Sequence, residues 1–73
     1  MEKRSENLRK FGKKIIELRH QKGFTSQIAL ANKAGMDRTY VGGIERGERN
    51  PTFEILEKLA KALGVSLEEL FRF

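Results

Sequence analysis

The chain has 73 residues and about 8.4 kDa, with no cysteine, one histidine and a net charge of +5. That length makes one domain, which at this size buries only about 60% of its unfolded surface. The composition excludes disulfides, thiol chemistry and thiolate metal sites, and no apolar run approaches the roughly 20 residues that span a bilayer.

The first residues, Met1-Glu2-Lys3-Arg4-Ser5, lack the apolar stretch of a signal peptide, so a cytoplasmic protein is expected. Charge is uneven along the chain. Residues 1–50 hold twelve basic and six acidic side chains, and residues 51–73 hold three and four. A positive first part suits a polyanionic partner, although a merely solvated surface looks the same. So short a chain has little room for an enclosed catalytic pocket of several hundred cubic ångströms.

The first helix is expected from about Ser5 to Lys22. Leu8, Phe11, Ile15 and Leu18 recur at three- and four-residue steps, and Arg9, Lys10, Lys13, Lys14 and Lys22 lie mostly off that stripe. A second short helix runs from Ser26 to Ala34, offering Ile28, Leu30, Ala31 and Ala34 to a core. Asp37 caps a third through about Arg46, with Met36 and Val41 at the spacing of a hydrophobic staple. Asn50-Pro51-Thr52 is a turn followed by a cap. A fourth helix then places Leu56, Leu59, Ala60 and Leu63 on one face. Ser66-Leu67-Glu68-Glu69 has the pattern of a capping box, with Val65 and Leu70 as its staple, and opens a fifth helix. Gly23, Gly35, Gly47 and Gly64 each follow a helix, where a left-handed residue is wanted. No segment alternates with period two. The expected fold is all-α: a compact five-helix domain over residues 1–73, with residues 1–4 as a basic arm.

The two short helices around Gly35 carry the functional argument. Counting from Gln27 as position one, Ala31 is fifth, Gly35 ninth, Val41 fifteenth and Ile44 eighteenth. Ala31 is small where two helices touch, Gly35 permits positive φ, and Val41 with Ile44 fixes the second helix to the body. The spacing leaves Arg38, Thr39, Gly42 and Gly43 facing outward.

This arrangement resembles the helix-turn-helix of phage-repressor/Cro-type (XRE) regulators, whose domain is lambda-repressor-like. The matching residues are Ser26-Gln27-Ile28-Ala29-Leu30-Ala31, Ala34-Gly35-Met36, Tyr40-Val41-Gly42-Gly43-Ile44-Glu45-Arg46-Gly47 and Asn50-Pro51-Thr52, with Leu59 to Phe71 matching the last helices. Within that family, Asp37 to Arg46 followed by Arg49-Asn50 looks most like the controller proteins of restriction–modification systems. One departure stands out. Members usually pass from the glycine through one apolar residue and one Ser/Thr to glutamine, whereas Gly23-Phe24-Thr25-Ser26-Gln27 has one residue more. Either Thr25 or Ser26 can then be the cap. The resemblance also implies a buried structural ion pair between Arg19 and Glu45.

In such a motif the third helix enters the major groove and its first residues meet base edges. Arg38 is placed to donate two bonds to a guanine, and Thr39 offers a hydroxyl and a methyl. Gln27 begins the second helix, where backbone N–H groups attract phosphate, and is assigned with Arg38, Thr39 and Gly42 to base contacts. Tyr40, Arg46, Arg49 and Asn50 are assigned to phosphate. Glycine inside a helix costs about 1 kcal/mol relative to alanine. Gly42 is therefore read as permitting close approach to the duplex, and Gly43 either as that or as relief of helix crowding.

The chain end is unusually apolar. Leu67, Leu70, Phe71 and Phe73 are expected to form a dimer interface, with residues 66–73 as the dimerisation segment. The alternative is that they complete the monomer core. A two-fold dimer sets two recognition helices about 34 Å apart, one turn of B-DNA. The function expected is a sequence-specific, homodimeric transcriptional regulator on a near-palindromic operator in double-stranded DNA, acting on the nucleoid, with RNA polymerase as a further candidate partner. An antitoxin or protein-interaction adaptor of the same fold is the alternative, as is binding to RNA or DNA without sequence preference. No membrane, metal or cofactor is expected. An enzyme is the least favoured class, because no nucleophile–base pair, metal set or phosphate loop is found.

Overall fold

The computed structural model describes residues 5–73, so the expected basic arm at residues 1–4 lies outside the described residues. Five helices follow in order: α1 Glu6–Gln21, α2 Gln27–Ala34, α3 Arg38–Glu45, α4 Phe53–Leu63 and α5 Leu67–Leu70. Each begins on a polar cap in extended conformation. Ser5, Ser26, Asp37, Thr52 and Ser66 accept hydrogen bonds from Leu8 N, Ala29 N, Thr39 N, Ile55 N and Glu69 N. The extra residue before α2 is therefore absorbed ahead of Ser26, which is the cap. Phe24 N donates to Arg19 O at 2.9 Å, and Arg19 Nη1 donates to Phe24 O at 3.0 Å, pinning that loop from both sides.

Gly35 makes the turn between α2 and α3. Its φ is 69°, in the left-handed region that a side chain disfavours. With the chain so turned, Gly35 N donates to Asn32 O and Met36 N donates to Ala31 O at 2.8 Å, which satisfies two carbonyls at the end of α2. Gly47 closes α3 similarly, one residue earlier than expected, so Arg46 belongs to the closing turn.

The core takes Phe11, Ile15 and Leu18 from α1, Leu30 and Ala31 from α2, and Val41 and Ile44 from α3. From α4 and α5 come Leu59, Ala60, Ala62, Leu63 and Leu70. Ile28, expected to be available to this core, is 50% exposed instead. It sits in the first turn of α2, two residues before Leu30 and so nearly opposite it around the helix.

Two features of α1 were not anticipated. Gly12 lies where α1 crosses α3. A Cβ there would stand 2.5 Å from Glu45 O and 2.6 Å from Ile44 O. Those are backbone atoms, which cannot swing aside. Gly12→Ala should force α1 and α3 apart at a cost of about 1–3 kcal/mol, read as a lower denaturation midpoint with unchanged slope; an unchanged midpoint would contradict this crossing. Lys14, off the apolar stripe, is likewise drawn in from the solvent. Its Nζ pairs with Glu69 Oε2 at 3.2 Å, tying α1 to α5. Glu69 Oε1 pairs with Arg72 at 3.2 Å. The expected capping box is thus only half made: Ser66 caps Glu69 N, while the Glu69 carboxylate serves the two cations.

Candidate nucleic-acid interface

The first turn of α3 presents Arg38 and Thr39 to solvent. Neither side chain has a hydrogen-bond or ion-pair partner among the described residues, so both are available to a ligand. Their helix is held from behind by Val41, fully buried, and Ile44, 1% exposed. The asymmetry follows from the sequence. Apolar residues three apart face α1 and α2, and the polar residues before them face out.

Gly42 and Gly43 are not the open surface expected of them. Both are buried, because neighbouring side chains lie across them. A Cβ on Gly42 would stand 3.0 Å from Gln27 Oε1 and 3.1 Å from Arg46 Nη1. One on Gly43 would stand 2.7 Å from Arg49 Cγ. Gly42 is therefore corrected from a base contact to a seat for Gln27 and Arg46. Gly43 is a seat for Arg49, so neither glycine answers to helix crowding.

The basic side chains after α3 are gathered on this seat. Arg49 lies over the Tyr40 ring, 5.4 Å from its centroid, an arrangement that aims a cation and a phenol at one region. Arg46 pairs with Glu48 at 3.1 Å at the surface, with side chains 56% and 38% exposed. Such a pair is worth little, so a phosphate can replace the carboxylate. Asn50 is exposed in the turn before Pro51.

Behind the face, Arg19 Nε donates to Glu45 Oε2 at 2.7 Å and Arg19 Nη2 donates to Oε1 at 3.4 Å; their side chains are 9% and 3% exposed. Gln27 Nε2 donates to the same Oε1 at 2.8 Å. The ion pair was expected, but the third member was not. Nothing in the spacing of Gln27 and Glu45, eighteen residues apart, announces that contact.

The apolar tail at the end of the chain divides. Leu70 is fully buried in its own core and cannot meet a second copy. Leu67 is partly buried against that core. Phe71 and Phe73 remain 50% and 55% exposed. Phe71 stacks on Phe11 with ring centroids 5.4 Å apart. The two phenylalanines edge an open groove of about 510 Å³ that Leu8, Phe11, Pro51 and Leu56 also line.

Residues 15–70 match the family model described as helix-turn-helix. The control protein C.MunI of Mycoplasma sp. is 44% identical over 62 residues, covering 85% of this chain and 84% of that protein. The restriction–modification controller C.AhdI of Aeromonas hydrophila superimposes with a TM-score of 0.88 at 49% identity, covering 92% of this chain and all of that one. C.Esp1396I bound to a 25-base-pair operator superimposes with a TM-score of 0.80 at 45% identity, covering 92% and 87% of the two chains. The chain belongs to the helix-turn-helix family, in the phage-repressor branch that contains the restriction–modification controller proteins.

Proposed function

We propose that the chain is a sequence-specific double-stranded-DNA-binding transcriptional regulator of the controller type, acting as a homodimer on a near-palindromic operator. The observation that carries this is the first turn of α3, where Arg38 and Thr39 are exposed and unpartnered on a helix locked from behind by Val41 and Ile44. Such a turn, set in a major groove, meets base edges. Arg38, Thr39 and Gln27 read bases, and Tyr40, Arg46, Arg49 and Asn50 hold phosphate. Phe71 and Phe73 supply the apolar part of the dimer contact. The operator-bound relative supports this use of the fold. The reading assigns no catalytic role to any residue. It places the protein on the nucleoid in the cytoplasm. It extends to a contact with RNA polymerase, for which Phe53, 63% exposed, is the large apolar side chain most open to a partner among the described residues.

Two variants separate the roles. Arg38→Ala should reduce discrimination at one base pair of each half-site by about fivefold or more, since a bidentate contact is worth about 1–3 kcal/mol. Arg49→Ala should weaken binding to all duplexes alike and lower the log–log salt slope by about 0.9. Competition binding at several salt concentrations reads both. Equal loss of base preference in the two variants contradicts the division.

A further inference from the structure

The Glu45 carboxylate serves two masters. Arg19 holds Oε2 and reaches Oε1, and Gln27 Nε2 donates to Oε1 at 2.8 Å. A carboxylate paired with arginine only accepts hydrogen bonds. The Gln27 amide therefore cannot be turned over without setting its carbonyl oxygen against the carboxylate. Its nitrogen must face Glu45 and its oxygen must face away. That oxygen accepts from no donor among the described residues, and it is not sealed from solvent. It lies across Gly42, on the surface that carries Arg46. A free glutamine on a protein surface offers either end of its amide, whereas here one end is already taken.

We propose that Glu45 is a positioning residue for DNA recognition. By holding the nitrogen of Gln27 inward, it makes the carbonyl oxygen the group offered to the major groove. An acceptor there selects a base with an exposed amino group, adenine through N6 or cytosine through N4. Phosphate oxygens, which only accept, do not pair with it. The second N–H of the amide remains, and with the oxygen it can complete the two-bond edge that suits adenine. One buried carboxylate thus joins the stability of the fold to base preference. The inference rests on DNA binding through the α3 face as proposed above.

In vitro selection from random duplex DNA tests it with three proteins: the wild type, Gln27→Met and Glu45→Gln. Methionine keeps the length of the side chain and removes both polar atoms. The wild-type pool should show, in each half-site, one A·T pair enriched about tenfold, because the oxygen and the remaining N–H together match adenine. Gln27→Met should even out that position and leave the others unchanged. Glu45→Gln should even out the same position, because an amide partner accepts Gln27 in either orientation. Should Glu45→Gln fail to fold, side-chain amide exchange in the wild type decides the positioning. The Gln27 amide should exchange with deuterium at least tenfold more slowly than that of the exposed Gln21, and equal rates overturn the proposal. A wild-type motif that Gln27→Met leaves intact overturns it alone. A random wild-type pool overturns the DNA-binding reading and this proposal together.

Discussion

Glu45→Ala should lower the stability of the domain by about 3–5 kcal/mol, because it strands the buried Arg19 guanidinium without its counter-charge. The pair is buried on both sides, and Arg19 also holds Phe24 O, so the freed cation cannot leave without loosening the loop before α2. A domain of this length has a total stability of about 4–11 kcal/mol. The loss therefore takes about a quarter of it or more. Urea denaturation followed by circular dichroism reads the effect. Glu48→Ala is the control, since its pair with Arg46 is a surface pair and should contribute no more than about 0.5 kcal/mol to stability. Similar midpoints for the two variants would contradict the assignment of Arg19–Glu45 as a buried pair.

The second large effect separates the residues of the apolar tail. Leu70→Ala should cost about 2–5 kcal/mol of fold stability, as a fully buried leucine leaves a cavity behind it. Phe73→Ala should leave the fold almost unchanged, because more than half of that side chain is in water. On the proposed dimer it should instead weaken self-association by about 1–2 kcal/mol, some five- to thirtyfold. Sedimentation equilibrium beside thermal unfolding distinguishes the two. A Phe73→Ala variant that unfolds early, or a Leu70→Ala variant that changes only the association constant, would reverse the roles given to these side chains.

The sequence made the helices legible because each carries its own boundary signal. Asp37, Thr52 and Ser66 are side chains that bond to backbone N–H groups nearby, so local chemistry alone locates them, whereas Thr25 and Ser26 are equal candidates in the sequence and only the structure places Ser26 at the cap. The outward face of Arg38 and Thr39 was readable for a similar reason, since Val41 and Ile44 fix which side of α3 turns inward. What stayed hidden was long-range. Leu70 and Phe73 are both apolar and three residues apart, and only the packed α4 and α1 decide that one is core and the other surface. Gly42 and Gly43 read as open because glycine leaves space, but long side chains from Gln27, Arg46 and Arg49 fill it. Gly12 did carry a signal. A glycine between Phe11 and Ile15 weakens a helix by about 1 kcal/mol, and the close crossing with α3 is what that loss permits.

The central claim is that this surface reads a DNA sequence as a two-fold pair. Selection of random duplex DNA by the purified protein near physiological salt, with sequencing of the bound pool, tests it most directly. The account predicts an inverted repeat whose half-sites stand about one helical turn apart. A pool that stays random would contradict it, leaving the basic face as a general electrostatic surface and directing attention to protein partners.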